Sequence, residues 1–222
     1  LLRPVSFYYA LRPDIRRRCR PYLERRFGPA GFFTTLARTA RLYANFADAL
    51  FDRLLTGLGG RLTVEQCGVG RERMRALLDE GRGALVVSAH FGSWQSALIG
   101  MEEFGRPIAI LQWVMEENPD SRYLSSNGSG HAFTVINARE GMTSTIRAAA
   151  FLRAGGIVCI MGDRMTPNDR HFVTARFLGG SVRLPAAPYL LASLSGAPVV
   201  HAFSVREGGR VRVLEPEIVR VP

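Results

Sequence analysis

The sequence predicts an α/β protein with a largely parallel sheet, and three observations indicate it. Apolar segments of strand length alternate with segments of helical periodicity from residue 61 onward. Glycine and proline residues mark several of the turns between these segments. The composition, 47% hydrophobic and 22% charged over 222 residues, is that of a globular chain that buries one sizeable core. Such alternation builds a mixed, mostly parallel sheet flanked by helices, with an antiparallel edge.

The first sixty residues follow a different pattern and are predicted to form an N-terminal amphipathic helical region. Residues 1–30 are basic and rich in proline, which indicates short helices joined by turns. Bulky apolar side chains then recur at helical spacing over residues 32–55, and such a stripe is core more often than membrane contact. We therefore divide the chain into a helical region, 1–60, and an α/β domain, 61–222. Because the sequence starts without Met, we expect it to be a piece of a longer protein.

The predicted elements of the α/β domain follow from apolar runs for strands and from periodicity with glycine stops for helices. The predicted strands are 62–65, 85–89, 107–111, 133–136, 157–161, 198–205 and 210–214. The predicted helices are 71–80, 93–104, one around 120–124, 143–154 and 185–195.

The charge pattern limits the partners. The net charge is +10 and every basic residue is Arg, so Lys-based Schiff-base and P-loop chemistry is excluded. A basic surface favours anionic partners such as phospholipid headgroups, an acidic carrier protein or nucleic acid. Arginines are densest over residues 16–26, interleaved with aromatic residues, which fits either a solvated helix face or a helix lying on an anionic membrane. Since no recognition motif accompanies the charge, nucleic acid is not an expected partner.

The cysteines and the missing motifs argue against several kinds of catalytic and metal site. Cys19, Cys67 and Cys159 are odd in number and widely spaced, which indicates buried thiols in a reducing compartment and no metal site. The sequence contains no Gly-x-Ser-x-Gly elbow and no His-Glu-x-x-His motif. No apolar stretch approaches the length that spans a bilayer.

One histidine stands where α/β sheets place their chemistry. His90 follows the predicted strand 85–89, at its carboxyl end, and precedes a helix. Gln95 lies about one turn into that helix, from where it could reach the imidazole. His90 is thus a candidate general base, and a structural histidine at a helix N-terminus is an equally good interpretation. The other three histidines, His131, His171 and His201, are expected to be structural.

Taken in order, several short motifs resemble those of a known superfamily. They are the segments 90–95, 135–139, 161–164, 176–180 and 185–203. This order resembles the lysophospholipid acyltransferase superfamily, in particular its lipid A biosynthesis (lauroyl/myristoyl) branch. The chain also looks like predicted bacterial acyltransferases that are fused to glycosyltransferases or encoded with aryl polyene pathways.

The resemblance implies a glycerolipid-acyltransferase-like fold and a reaction. The reaction is transfer of a fatty acyl group from an acyl carrier protein or coenzyme A thioester to a hydroxyl or amine of a lipid or glycolipid acceptor. It needs no resident cofactor and no metal. The implied location is the cytoplasmic face of the bacterial inner membrane, on an anionic surface, either peripheral or anchored by a segment outside this chain.

The resemblance also assigns roles to residues. His90 matches the base that removes the acceptor's proton, and Arg139 matches the residue that grips an anionic group of the acceptor. Asp163 and Arg164 match a motif near the acceptor pocket.

A second set, Phe177, Gly179 and Gly180, matches a loop that lines the site. The glycines allow close backbone approach and offer N–H donors to the tetrahedral oxyanion.

Gln95 departs from the family pattern, which has Asp or Glu at this position to orient and charge-stabilise the histidine. An amide still accepts a hydrogen bond from the ring but carries no charge. Three explanations stay open. The acceptor is less demanding, such as an amine; another carboxylate, Asp163 or Glu102, takes the role; or the chain is a lipid-binding pseudoenzyme.

Overall fold

The structure is a computed structural model that describes residues 2–57, 63–114, 133–166, 169–207 and 209–222. The chain forms two compact units. The first comprises Leu1–Leu54 with Thr174–Val182, and the second comprises Leu55–Val173 with Arg183–Pro222. The boundary that we predicted at residue 60 falls among residues 58–62, outside the described residues, and stays a prediction.

The helices and strands of the described residues are as follows. The helices are α1 Leu2–Leu11, α2 Pro13–Phe27, α3 Phe32–Gly57, α4 Gly68–Asp79, α5 Trp94–Ile99, α6 Met142–Arg153 and α7 Ala187–Ser195. The strands are β1 Val64–Gln66, β2 Ala84–Ser88, β3 Ile108–Gln112, β4 Thr134–Asn137, β5 Ile157–Met161, β6 Phe172–Phe177, β7 Gly180–Pro185, β8 Val199–His201, β9 Ser204–Glu207, β10 Arg210–Val213 and β11 Glu217–Val219.

The first unit contains the predicted N-terminal helices. Pro13 opens α2, where its missing N–H costs nothing, and Asp14 lies in the same first turn, where the helix dipole favours a carboxylate. The turn between α2 and α3 is held by Arg38, whose guanidinium donates to the carbonyl of Gly28 at 3.0 Å and lies 5.1 Å from the ring centroid of Phe27. This contact fixes where α3 starts relative to the end of α2.

The apolar stripe of α3 is not buried core along its whole length. Phe33 is 82% exposed. Four other bulky members of the predicted stripe are also exposed: Phe32, Leu50, Phe51 and Leu54. The interpretation of the stripe as core is therefore wrong for these positions, because a helical period reports that one face is apolar and not what covers it.

The second unit is built on a mixed sheet whose strand order is β11-β8-β2-β5-β3-β4. Its neighbours pair in parallel from β8 through to β4, and β11 is antiparallel at the edge beside β8. The predicted fold class, a largely parallel sheet with an antiparallel edge, is confirmed. Parallel strands are buried on both faces, which is why they stand out as continuous apolar runs in the sequence.

A smaller sheet has the order β1-β10-β9. We expected one strand over residues 198–205, but the structure breaks it at Ala202 and Phe203. The chain leaves the large sheet after β8 and joins the small one as β9, which pairs antiparallel with β10. The apolar run over residues 198–205 therefore spans two elements that belong to different sheets.

Two other elements were not predicted. Residues 172–185 form a hairpin of β6 and β7, whose turn includes Gly179 of the loop that the resemblance implies, and the β6 side chains are almost all exposed. Strand β11, near the C-terminus, has only three residues. Neither segment shows the buried, apolar run that signals a strand in sequence. The helix predicted over 93–104 is instead α5 followed by a 3-10 turn, Gly100–Phe104.

The core of the second unit lies on both faces of the large sheet. Val86 and Cys159 belong to a cluster with side chains of α4 and α5. Leu85 and Val158, which point to the opposite face, pack with side chains of α6 and α7 and are 0% exposed. Both faces of the sheet are therefore covered, as an all-parallel arrangement of central strands requires.

In the described part of the chain, no helix combines the length and the hydropathy that crossing a bilayer requires.

Leu85→Ala is expected to lower the free energy of unfolding by about 2–5 kcal/mol, because it leaves a cavity in the closed core beneath β2. Leu190→Ala is the matched control: Leu190 lies on α7 with 54% exposure, and its loss is expected to cost about 0.5 kcal/mol or less. Chemical denaturation of both variants measures the difference. Equal losses would contradict the assignment of this face as core.

Candidate active site

The site begins with the register of two adjacent parallel strands. Ser88 at the end of β2 is level with Met161 at the end of β5. His90 and Asp163 each lie two residues beyond these partners, so the two side chains leave the same edge of the sheet from neighbouring strands. Neighbouring strands are about 4.8 Å apart, which is within reach of a histidine and a carboxylate.

The carboxylate of Asp163 makes two hydrogen bonds with His90, one with the imidazole and one with the backbone. His90 Nδ1 lies 2.9 Å from Asp163 Oδ1, and the backbone N–H of His90 donates to Asp163 Oδ2 at 3.1 Å. The carboxylate therefore fixes both the ring and the turn that carries it. The two side chains are 35% and 29% exposed, so this dyad is accessible and not part of the closed core.

Two glycines allow the dyad to form. Gly92 has φ +61, and a Cβ there would lie 1.9 Å from the carbonyl oxygen of Ser204, so only glycine fits the turn after His90. Gly162 precedes Asp163, and a Cβ there would lie 2.8 Å from a methyl group of Val87. Its N–H donates to the carbonyl of Ser88 at 2.8 Å, which ties the ends of β2 and β5 together.

An apolar cavity lies beside the dyad, on the α5 face of the sheet. Trp94 lines it and also stands edge-on to the His90 ring, with centroids 5.9 Å apart. The wall includes side chains from the carboxyl halves of β2, β3 and β5, from α5 and from the corner between β8 and β9; examples are Val86, Leu98, Ile110, Met161 and Phe203. Trp94 therefore connects the dyad with a cavity whose wall consists mainly of hydrocarbon side chains.

Cys159 also lines this cavity and is 5% exposed. Burial away from water disfavours the thiolate and raises the pKa of Cys159 to about 12. The thiol therefore stays protonated and acts as an apolar wall residue. The prediction of a buried thiol is confirmed for Cys159, whereas Cys19 and Cys67 are half-buried free thiols.

Arg139 lies at the same carboxyl edge as the dyad. It belongs to a 3-10 turn, Ala138–Glu140, directly after β4, and its side chain is exposed. Strand pairing places it three strand spacings from His90, about 14 Å along the sheet edge. Asn137 holds the ends of β3 and β4 together. Its Oδ1 accepts hydrogen bonds from the backbone N–H of Arg139 at 3.1 Å and from that of Val114 at 3.2 Å.

The remaining predicted residues are placed as follows. Gln95 lies in the first turn of α5, but its side chain is outside the described residues. Arg164 follows the dyad carboxylate and is exposed. Of the two carboxylates that we considered as substitutes for the expected acidic residue, Asp163 contacts His90, and Glu102 lies in the 3-10 turn after α5.

Phe177 ends β6, Gly179 lies in the hairpin turn and Gly180 begins β7; all three belong to the first compact unit. Their predicted role in lining the site therefore stays a prediction.

Two of the other three histidines lie in the described residues, outside the dyad. His201 Nε2 lies 2.9 Å from the hydroxyl of Tyr189, as expected for a structural residue. His171 is exposed, and His131 lies outside the described residues.

Sequence reasoning missed three polar residues at the site: Gln112, Asn137 and Ser204. Gln112 and Ser204 line the cavity, and Asn137 clamps the ends of two strands. Asn137 stood inside a segment that we singled out, so its position was available. The other two carry no signal, because only the strand pairing reveals that they face the same space.

Comparison with known proteins identifies the class to which this fold and site belong. Residues 53–215 match the family of bacterial lipid A biosynthesis acyltransferases. Because this match covers more than half of the chain, the chain belongs to that family, and the resemblance noted from the motifs is confirmed.

A curated relative is the phosphatidylinositol mannoside acyltransferase of Mycolicibacterium smegmatis (strain ATCC 700084 / mc(2)155). It is 27% identical over 163 residues, which are 72% of this chain and 52% of that protein. The chain thus spans about half the length of the curated relative that it matches.

Cys159 is expected to react slowly with alkylating reagents in the folded protein. A shift in pKa from 9.0 to about 12 leaves about 1,000-fold less thiolate at pH 8. Since the folded state holds the proton more tightly, this group's contribution to stability is complete below about pH 9 and declines as the pH rises towards about 12. Mass spectrometry after timed alkylation, with Cys67 as internal control, measures the rates; equal rates for the two thiols would contradict the burial.

Proposed function

We propose that this protein is an acyltransferase that moves a fatty acyl group from an acyl carrier protein or coenzyme A thioester to a lipid or glycolipid acceptor. His90 is the general base, and Asp163 is the residue that orients it. The observation that carries the proposal is the 2.9 Å contact between Nδ1 and the carboxylate, next to an apolar cavity that is lined by Trp94, the residue in contact with the His90 ring.

The carboxylate determines which ring nitrogen does the chemistry. An ionised carboxylate only accepts hydrogen bonds, so Nδ1 carries the proton that is donated to Asp163. In the neutral ring Nε2 then holds a lone pair and is the atom that takes up a proton. The negative charge of Asp163 stabilises the imidazolium that forms, which is the role that Gln95 cannot fill.

The transfer proceeds with His90 first as base and then as acid. Nε2 removes the proton from the acceptor hydroxyl or amine while the acceptor atom attacks the thioester carbonyl carbon. The tetrahedral intermediate collapses, the carbon–sulfur bond breaks, and the imidazolium returns its proton to the leaving thiolate. The products are the acylated acceptor and the free thiol of the carrier.

The cavity and the sheet edge supply binding. In this proposal the acyl chain occupies the apolar cavity next to Trp94, where it is removed from water. Arg139, exposed at the same edge, binds an anionic group of the acceptor. Arg164, Phe177, Gly179 and Gly180 are further substrate-binding candidates, on the family resemblance alone.

The relative supports the class of acceptor. It is named for acyl transfer to phosphatidylinositol mannoside, which is a glycolipid with an anionic phosphate. A glycolipid acceptor with a negatively charged group fits an exposed arginine, Arg139, at the same edge of the sheet as the dyad.

The exposed surface of the first unit supports association with a membrane. Phe33, at 82% exposure, and other bulky apolar side chains of α3 face solvent, and Arg17 and Arg18 of α2 are exposed as well. Apolar side chains insert at the headgroup boundary, and arginines are attracted to anionic lipids. We propose peripheral binding at the cytoplasmic face of the inner membrane.

Removal of either member of the dyad is expected to abolish most of the transfer. His90→Ala removes the proton acceptor and is expected to lower kcat about 100- to 10,000-fold. Asp163→Asn favours the wrong tautomer and removes the charge, with an expected loss of up to about 10,000-fold. Transfer of radiolabelled acyl groups from acyl carrier protein or coenzyme A to extracted lipids measures both.

The matched controls are His171→Ala and Asp79→Asn, which change an exposed histidine and a 79%-exposed carboxylate outside the dyad. Equal transfer by the wild type and His90→Ala would remove His90 from the mechanism. No transfer by the wild type, together with a large gain from Gln95→Glu, would instead indicate a lipid-binding pseudoenzyme that lost its acidic residue.

Arg17→Gln is expected to weaken binding to vesicles that contain anionic lipid about fivefold at low salt and to leave binding to neutral vesicles unchanged. Arg75→Gln, an exposed arginine on α4 of the second unit, is the matched control. Vesicle sedimentation measures the partitioning. A similar loss in both variants would indicate unspecific attraction by the net charge of +10 and not binding through the first unit.

A further inference from the structure

Two buried polar atoms in the cavity have no hydrogen-bond partner among the described residues. They are the amide nitrogen Nε2 of Gln112 and the hydroxyl oxygen of Ser204. Ser204 is 1% exposed, so water does not replace the missing partner from outside. Buried groups of this kind are rare in native proteins because each forfeits a hydrogen bond that it had in water. Because both atoms lie in a cavity, their position indicates that they form hydrogen bonds with a bound ligand.

The two atoms are placed to contact different parts of that ligand. The backbone carbonyl of Ser204 lies against Gly92, two residues beyond His90, so this residue is close to the turn that carries the base. Gln112 ends β3 and pairs in register with β4, two strands away from Ser88, about 10 Å along the sheet. If the thioester carbon is at His90, the hydroxyl of Ser204 faces a group that every donor has, the carbonyl. The amide of Gln112 faces a carbon further along the chain.

We infer that the preferred donor is a hydroxylated acyl thioester, with an oxygen within the first few carbons of the chain, and that Gln112 selects it by donating a hydrogen bond to that oxygen. The inference rests on the proposed function, because it takes the cavity for the acyl subsite. A plain hydrocarbon chain leaves the amide unpaired inside the cavity, which penalises its binding. A chain with a hydroxyl group satisfies the amide, and sites of this kind discriminate strongly against the analogue that lacks the polar group.

The experiment compares three donors of equal chain length: myristoyl, 2-hydroxymyristoyl and 3-hydroxymyristoyl thioesters. For the wild type, one of the hydroxylated donors is expected to give a kcat/KM at least tenfold above that of the myristoyl donor. Gln112→Leu, which keeps the volume and removes the amide, is expected to abolish or reverse that preference. Ser204→Ala, the matched variant in the same cavity, is expected to lower transfer from all three donors in the same proportion.

Three outcomes would overturn the inference. One is a wild type without preference for either hydroxylated donor. Another is a Gln112→Leu variant that loses activity equally towards all donors, since the amide then acts on a group common to them. The third is a Gln112→Leu variant with a higher Tm and an unchanged preference, which would make the unpaired amide a tolerated defect. Thermal melts of each variant show whether it is folded.

A binding measurement separates this inference from the proposed function. His90→Ala protein is titrated with myristic acid and with the two hydroxymyristic acids by calorimetry, which needs no turnover. Tighter binding of a hydroxylated acid, by about tenfold, with no transfer by the wild type would refute the proposed function and leave the ligand class standing. Transfer by the wild type together with equal binding of all three acids would support the proposed function and refute the inference about the hydroxylated donor.

Discussion

The in-register parallel pairing of β2 with β5 is the constraint on which the site depends. His90 and Asp163, 73 positions apart in the sequence, are in contact because each lies two residues beyond the end of its strand. The last residues of those strands, Ser88 and Met161, are paired in register. Buried strands cannot slip by one residue without moving every apolar side chain to the wrong face, so the hydrophobic core holds the dyad in place. The position of the dyad is thus set by the packing of the sheet beneath it.

This arrangement explains how the chain departs from its family's motif. The usual acidic residue sits on the same turn as the histidine, whereas here that position is Gln95. The carboxylate of Asp163 comes from the neighbouring strand and bonds both the ring and the backbone of His90. A charge partner from a separate strand is as rigid as one from the same turn when both strands are central in a sheet. The departure at Gln95 is therefore compatible with general-base chemistry.

The sequence predicted the buried strands well and missed the exposed hairpin, for a physical reason. Strand 157–161 was predicted with the observed ends, because a strand that is buried on both faces appears as an uninterrupted apolar run. The hairpin of β6 and β7 has exposed side chains and leaves no such run. His90 was predicted from its place after a strand. Its pairing with Asp163 depended on which strands are neighbours, and strand order is not written in local periodicity.

The polar residues of the cavity were harder to predict from the sequence than those of the dyad. Gln112 ends one strand and Ser204 begins another, in two different sheets, and nothing in the local sequence connects them. Their significance lies in missing partners, a property that exists only once every surrounding atom has a place. Asn137 is intermediate: it belongs to a recognisable segment, but its role as a clamp depends on the end of β3 beside it.

The break at Ala202 and Phe203 has a consequence for how this scaffold diversifies. The chain turns there from the large sheet into the small one, so one wall of the pocket is anchored covalently in two hydrogen-bonded layers. A wall pinned in this way resists widening. Another part of the wall consists of a single short helix and a 3-10 turn that carries Met101, a side chain that is flexible and tolerates substitution. Homologues that bind longer or bulkier ligands are therefore expected to differ in this helical wall and to conserve the corner between β8 and β9.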